Sequence, residues 1–230
     1  MLNFLNQVMP NVVENWSGDT GMVTGIWQTL YMTFWTTLIG GLIGLALGVA
    51  LVIYDEQGIM ANKAVYSILD KFVNVFRSIP FIILLSVVFP ITQFIVGTTI
   101  GPKGALVPLI IGTAPFYARQ VQNTLVQIDP GVIESAEALG YGPWTIITKV
   151  YLREGLPDLI RTSVLTIISI IGLTAMAGAV GAGGLGYIAV SKGYQRYQND
   201  ITIVATLLIL VIVFIIQGLG DLWAKKIDHR

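Results

Sequence analysis

The run Thr20–Tyr54, TGMVTGIWQTLYMTFWTTLIGGLIGLALGVALVIY, contains no Asp, Glu, Lys, Arg or His. A helix needs roughly 20 mostly apolar residues to cross about 30 Å of hydrocarbon, so this stretch has the length and chemistry of a membrane span. The rest of the chain agrees. Of its 230 residues 54% are hydrophobic and 11% charged, with a mean hydropathy of +0.76, where soluble chains carry roughly 25% charge. Three more charge-free runs, Ser78–Pro102, Thr162–Ser191 and Ile201–Gly220, are long enough to span. Gly104–Ala118 is shorter and holds Pro108 and Pro115. Extended to Leu125 it becomes a fifth span, burying Arg119, Gln120 and Asn123 near a helix end.

The expected fold class is therefore all-α, a polytopic membrane helix bundle of five transmembrane helices at 22–53, 77–96, 104–125, 162–180 and 201–221. Basic residues favour the cytoplasmic side. With the N-terminus outside and the C-terminus cytoplasmic, Lys63, Lys71, Arg77, Arg119, Lys149, Arg153, Arg161, Lys225, Lys226 and Arg230 fall inside, leaving Lys103, Lys192 and Arg196 outside. Residues 1–21 then form an extracytoplasmic tail with a short surface helix around Phe4–Val13. Residues 22–222 form the transmembrane domain, with a cytoplasmic loop at 127–160, and 223–230 a cytoplasmic basic tail. No basic n-region opens the chain, so a cleavable signal peptide is not expected.

Within these segments, Gly40, Gly44 and Gly48 form a small-residue stripe that lets another helix approach closely, with packing inside the chain favoured over a dimer seam. Val65, Ile68, Leu69, Phe72 and Val75 follow the period of an amphipathic helix lying at the membrane surface. Residues 97–104, GTTIGPKG, read as an outside loop.

Catalytic chemistry is scarce. There is no cysteine and one histidine, His229, so thiolate metal sites, cysteine nucleophiles and a Ser-His-Asp set are excluded, and no cofactor is expected. No G-x-x-x-x-G-K-[ST] loop is present. Gly181, Gly183 and Gly186 fit G-x-G-x-x-G, but an apolar span precedes them in place of a strand, so flexible or closely packed backbone is expected there. The spans lack buried carboxylates of the kind ion-coupled carriers keep, although backbone carbonyls alone can build a sodium site. A pump built from this chain must take its energy from another protein.

The candidate receiver is the charged stretch Ile133–Ile160, IESAEALGYGPWTIITKVYLREGLPDLI, in the cytoplasmic loop. Asp129-Pro130 supplies an N-cap and a proline at the first helical position, and Gly140 a stop, so Pro130–Leu139 is a short helix. Val132, Ala136 and Leu139 share one face. Pro143 restarts a second helix with Trp144, Ile147, Tyr151 and Glu154 along one side, ending near Gly155. The small residues Ser135, Ala136, Ala138 and Gly140 suit close docking in a partner's groove, with Glu134 meeting basic groups. The alternative is a plain solvated loop whose early carboxylates favour a helix N-terminus. On physical grounds the two stand level.

The stretch ESAEALG, followed nine residues later by VYLREGLP, resembles the EAA loop of bacterial ABC importer permeases. Glu134, Ala136, Gly140 and Leu152 match its pattern; Val150 replaces an isoleucine, Ser135 the first alanine, and Arg153 stands at the proline position. FRSIPFIILL (76–85), GTAPFYARQVQNTL (112–125) and AMAGAVGAGGLG (175–186) look like the methionine importer permeases. The resemblance implies a non-catalytic transport subunit in the bacterial inner membrane. It implies a homodimer, two copies of a cytoplasmic ABC ATPase and an extracytoplasmic methionine-binding protein. The ATPase-coupling loop is then expected at Glu134, Ser135, Ala136, Ala138, Leu139, Gly140, Val150 and Leu152, and, because a five-span bundle leaves a dimer axis beside the glycine-rich end of span four as a natural path, a translocation path or gate is expected at Met176, Gly178, Gly181 and Gly183. The competing readings are an ion-coupled secondary carrier of a small amino acid and a membrane scaffold for a partner ATPase.

Overall fold

The structure, a computed structural model, describes residues 9–227. The first part of the expected helix at Phe4–Val13, and His229 with the end of the basic tail, lie outside the described residues. Those described are helical almost throughout, with no strand. In chain order the helices are α1 (Pro10–Glu14), α2 (Met22–Ile53), α3 (Lys63–Ser78), α4 (Phe81–Val87), α5 (Phe89–Val96), α6 (Gly101–Leu125) and α7 (Pro130–Ala138). Then α8 opens at Pro143–Ile146, widens into a π turn at Ile147–Tyr151 and closes at Leu152–Glu154. Last come α9 (Leu156–Ala177), α10 (Gly184–Tyr187) and α11 (Asn199–Ile227).

Among the described residues three helices are long and apolar enough to cross a membrane: α2, α9 with its continuation to Ala182, and α11. The other two expected spans take different forms. The stretch 77–96 is divided, because Pro80 holds Ile79 extended at φ −80°, ψ 120° and Pro90, in the first turn of α5, has no N–H to continue α4. Helix α6 has the length, 25 residues, but it starts at Gly101 and so takes in Lys103 besides Arg119, Gln120, Gln122 and Asn123. The loop expected at 97–104 thereby shortens to the turn after Gly97, the left-handed cap of α5.

The chain divides into two compact units. The first comprises residues up to Leu38, Pro80–Ile110 and Ile167–Ile216. Its apolar centres are Met22 with Leu185, Ile188, Ile201 and Ala205, and Met32 with Ala105, Leu109, Ala177 and Ala182. Helix α1 is tied down by Asn11, whose backbone N and Nδ2 donate to the two carboxylate oxygens of Asp200 at 3.1 and 3.0 Å. Lys192 Nζ donates to Asn15 Oδ1, Thr20 O and Thr20 Oγ1 at 2.8–3.0 Å.

The second unit comprises Ile39–Ile79, Ile111–Thr166 and the chain from Gln217. Its largest core joins Val52, Tyr117, Val121, Leu125, Ala136, Ile146, Val150 and Tyr151. The small-residue stripe of α2 serves packing inside the chain: a Cβ on Gly44 would lie 2.7 Å from Ala114 O, and one on Gly48 2.6 Å from Ala118 O. Asn62 caps α3, its Oδ1 accepting from the N–H of Ala64 and Val65. The inner face of α3 is Tyr66, Leu69 and Val73, so Ile68, Phe72 and Val75 of the predicted stripe remain exposed. Arg119, expected to be buried near a helix end, donates to Asp70 Oδ1 at 2.5 Å, Asn74 Oδ1 at 3.0 Å and Gln122 Oε1 at 2.6 Å.

Candidate functional site

The loop 127–160 belongs wholly to the second unit. Asp129 begins α7 as its side chain accepts from Gly131 N at 2.8 Å, with Pro130 in the first turn. The far end closes by a pair of backbone bonds: Gly140 N donates to Glu137 O at 2.9 Å and Tyr141 N to Ala136 O at 3.1 Å. This is a Schellman cap, and it needs the positive φ of 78° that Gly140 adopts. Ser135 Oγ bonds back to Gly131 O at 2.7 Å.

The faces of this hairpin differ from the pattern expected of it. In α7, Ile133 and Ala136, three residues apart, turn inward, and Ala136 is buried against its own chain. Val132 and Leu139, expected on the same face as Ala136, are exposed, Leu139 by 72%. In α8 the π turn accommodates one residue more than a regular turn would. Ile146, Ile147, Val150 and Tyr151 are buried, while Trp144 stands 76% exposed. Of the predicted coupling residues, Glu134, Ser135, Ala138, Leu139 and Gly140 form one exposed surface on α7 and its cap. Ala136 and Val150 are core, and Leu152 packs against that core. Arg153 is exposed, and the helix breaks only at Gly155, with Pro157 beyond it in the first turn of α9.

Beside α7 lies a cleft of about 400 Å³ whose wall includes Asp55, Glu134, Glu137 and Tyr151. Burial pushes the Tyr151 hydroxyl above its ordinary value of 10.0, and the negative charge of Glu137 adds to the shift. No group of three or more His, Cys, Asp or Glu among the described residues is placed to hold a metal.

The predicted gate residues lie in the first unit. After Ala177 the helix widens into a π turn at Gly178–Ala182, kinks at Val180 and Gly181, and reverses into α10. Gly178 and Gly183 come together: a Cβ on Gly178 would lie 2.7 Å from Gly183 O. Gly181 sits at the kink with φ 101°, and Met176 is 44% exposed. The glycine run is a tightly packed reversal of two helices, with no room for side chains where Gly186 meets Ala175.

Residues 40–229 match the family model described as binding-protein-dependent transport system inner membrane component. The chain belongs to this family. As such it is a membrane component of a transport system, located in the inner membrane. It is 47% identical over 180 residues to the methionine import system permease protein MetP of Bacillus subtilis, covering 78% of this chain and 81% of that protein. It is 39% identical over 209 residues to a probable D-methionine transport system permease protein MetI of Vibrio cholerae, covering 91% and 93%. Among solved structures, an inward-facing conformation of the MetNI methionine ABC transporter has a TM-score of 0.88 and 44% identity, covering 90% of this chain and 96% of that one.

In this transport component the exposed surface of the loop holds residues outside the predicted set: Val132, Tyr141 and Trp144. A local signal for Trp144 was present in the sequence but pointed inward: at three and seven residues from Ile147 and Tyr151 it shares their face on a regular helix, and only the π turn at Ile147–Tyr151 separates it from them. The link from Arg119 to α3 carried no such signal, since Asn74 and Asp70 are 45 and 49 residues away.

Proposed function

We propose that this chain is the membrane-spanning permease subunit of an ATP-driven importer, forming with a second copy of itself a translocation path for methionine. It takes the amino acid from an extracytoplasmic binding protein and is worked by two copies of a cytoplasmic ABC ATPase. The observation that carries the reading is the likeness, at 44% identity over 90% of this chain and 96% of the other, to a chain of a methionine ABC transporter. Methionine is the cargo in the name of the Bacillus relative and D-methionine in that of the Vibrio relative.

In this reading the chain spans five times, α4 with α5 and α6 providing the second and third crossings in the shelter of neighbouring helices. Its N-terminus lies outside and its C-terminus in the cytoplasm. The distribution of charge supports that orientation. Among the described residues Lys63, Lys71, Arg77, Arg119, Lys149, Arg153, Arg161, Lys225 and Lys226 fall in the second unit, and only Lys103, Lys192 and Arg196 in the first. Only 11% of the most apolar 18-residue stretch of α11 is buried within the chain, which leaves its apolar side chains available to lipid and to the second copy.

The loop 127–160 is then the handle. Glu134, Ser135, Ala138, Leu139 and Gly140, joined by Tyr141 and Trp144, enter a cleft of the ATPase, while Ala136, Val150 and Leu152 hold α7 to the core so that it moves as part of the permease. Contact alone transmits nothing: ATP must favour one arrangement of the assembly over the other. Met176, Gly178, Gly181 and Gly183 belong to the gate.

Co-purification with a P-loop ATPase, followed by methionine uptake into vesicles, tests the proposal. Uptake that survives ATP depletion and collapses with an ion gradient overturns it in favour of a secondary carrier. A bulky residue at Gly140 is expected to abolish ATPase coupling and uptake while insertion and dimer persist, whereas a carrier is indifferent to it.

A further inference from the structure

The reversal between α9 and α10 leaves the first N–H groups of α10 without partners inside their own helix. Gly184 and Leu185 are both buried, Leu185 completely. An unpaired amide at such a position carries a large desolvation penalty, more so where water is scarce. Neither amide is unpaired. Gly184 N donates to Gln28 Oε1 at 2.7 Å and Leu185 N to Thr29 Oγ1 at 2.9 Å. Two consecutive side chains of α2, 156 residues away in sequence, hold two consecutive amides of the reversal.

The glycines make that reach achievable. A Cβ on Gly183 would lie 2.5 Å from Gln28 Oε1, and one on Gly184 2.8 Å from Thr29 Oγ1. Both glycines have positive φ, 80° and 76°. Two packed contacts reinforce the attachment: Gly25 leaves space that Ile188 fills, and Met22 and Ile26 pack with Leu185 and Ile188. Thr29 is 2% exposed, so its hydroxyl has little access to water as an alternative partner.

We infer that Gln28 and Thr29 are positioning residues of the gate, fastening the reversal Gly178–Gly193 to the first-unit part of α2 so that the two move as one body during transport. The inference rests on the reading of Gly178, Gly181 and Gly183 as gate residues. In this arrangement the seal is formed by the backbone of the glycine reversal, and the two α2 side chains determine where that backbone stands. Loosening them lets solute pass without ATP, since the reversal then samples positions independent of α2.

The test uses the complete transporter in vesicles with its ATPase and binding protein. Thr29→Val keeps shape and removes the acceptor; Gln28→Leu does the same at the neighbouring position; Thr29→Ser restores the hydroxyl. Loss of one hydrogen bond predicts about a tenfold fall in hydrogen-exchange protection of the Gly184 or Leu185 amide. Both apolar variants are expected to raise ATP-independent efflux of preloaded methionine severalfold and to lower uptake per ATP hydrolysed, with Thr29→Ser behaving as wild type. Unchanged efflux and coupling in variants whose amide protection has fallen overturns the inference. A lower unfolding temperature with no added efflux also overturns it, as it assigns the two residues to stability alone. Failure of the wild-type vesicles to take up methionine with ATP counts against the transport reading and is seen before any variant is compared.

Discussion

Replacing Asp70 by Asn puts a number on the link between α3 and α6. Arg119 and Asp70 are 2.5 Å apart, with side chains only 17% and 28% exposed. Exposed ion pairs contribute about 0–1 kcal/mol, whereas removing one member of a buried pair costs about 3–5 kcal/mol. This pair lies between those limits, because Arg119 keeps Asn74 Oδ1 and Gln122 Oε1 as acceptors when the carboxylate is lost. A loss of about 2 kcal/mol follows for Asp70→Asn, on the scale of a charge-assisted hydrogen bond. Arg119→Met leaves the Asp70 carboxylate with the Asn74 amide at 3.0 Å, and a similar loss of about 2 kcal/mol is expected. The double variant removes both charges, so its loss stays near that of either single change and the coupling energy is about 2 kcal/mol. Unfolding of the purified protein in detergent by a denaturant titration, run on all four forms, measures the cycle. Single losses below about 0.5 kcal/mol that simply add would show the pair to be solvent-screened and the argument from burial wrong.

Four further outcomes are expected. Gly48→Leu forces α2 and α6 apart at Ala118 O and Val121, and a destabilisation of at least about 1–3 kcal/mol should appear in the same titration. Asp129→Ala removes the one side-chain cap of α7 and costs about 1 kcal/mol, read as faster exchange of the Gly131 amide. Trp144→Ala leaves the fold untouched, since the ring is exposed, but weakens binding of the partner ATPase by about 2 kcal/mol in a titration calorimeter. Because the folded state holds Tyr151 above its ordinary value of 10.0, its contribution to stability is complete below pH 10 and lost as pH rises through the folded value. Glu137→Gln should move the ultraviolet titration of that tyrosine to lower pH.

What could be read from the sequence was local. Asp129, Pro130 and Gly140 act within a turn of where they stand, so both ends of α7 were legible from residue types alone. The charge-free runs of α2 and α11 were legible because nothing in them competes with a helix. The break at Val88 was missed because Pro90 sits in an otherwise continuous apolar run. The faces of α8 were misplaced because a regular 3.6-residue period was assumed across a turn that is wider. The glycine run could be read as close packing or flexibility, and the choice depended on Gln28 and Thr29, which no local pattern connects to it. The partners of Arg119 were hidden for the same reason.

The wide turn at Ile147–Tyr151 means that the handle carries one surplus residue. Deleting it would leave an ordinary spiral that still reached Leu152, but everything upstream would be swung round by about 100°, the rotation of one residue. Trp144 would then be carried away from water, along with Pro143 and Tyr141 before it. The bearing on which this loop shows its largest aromatic ring is thus a matter of counting peptide units, and a single-residue slip would be enough to mis-aim it.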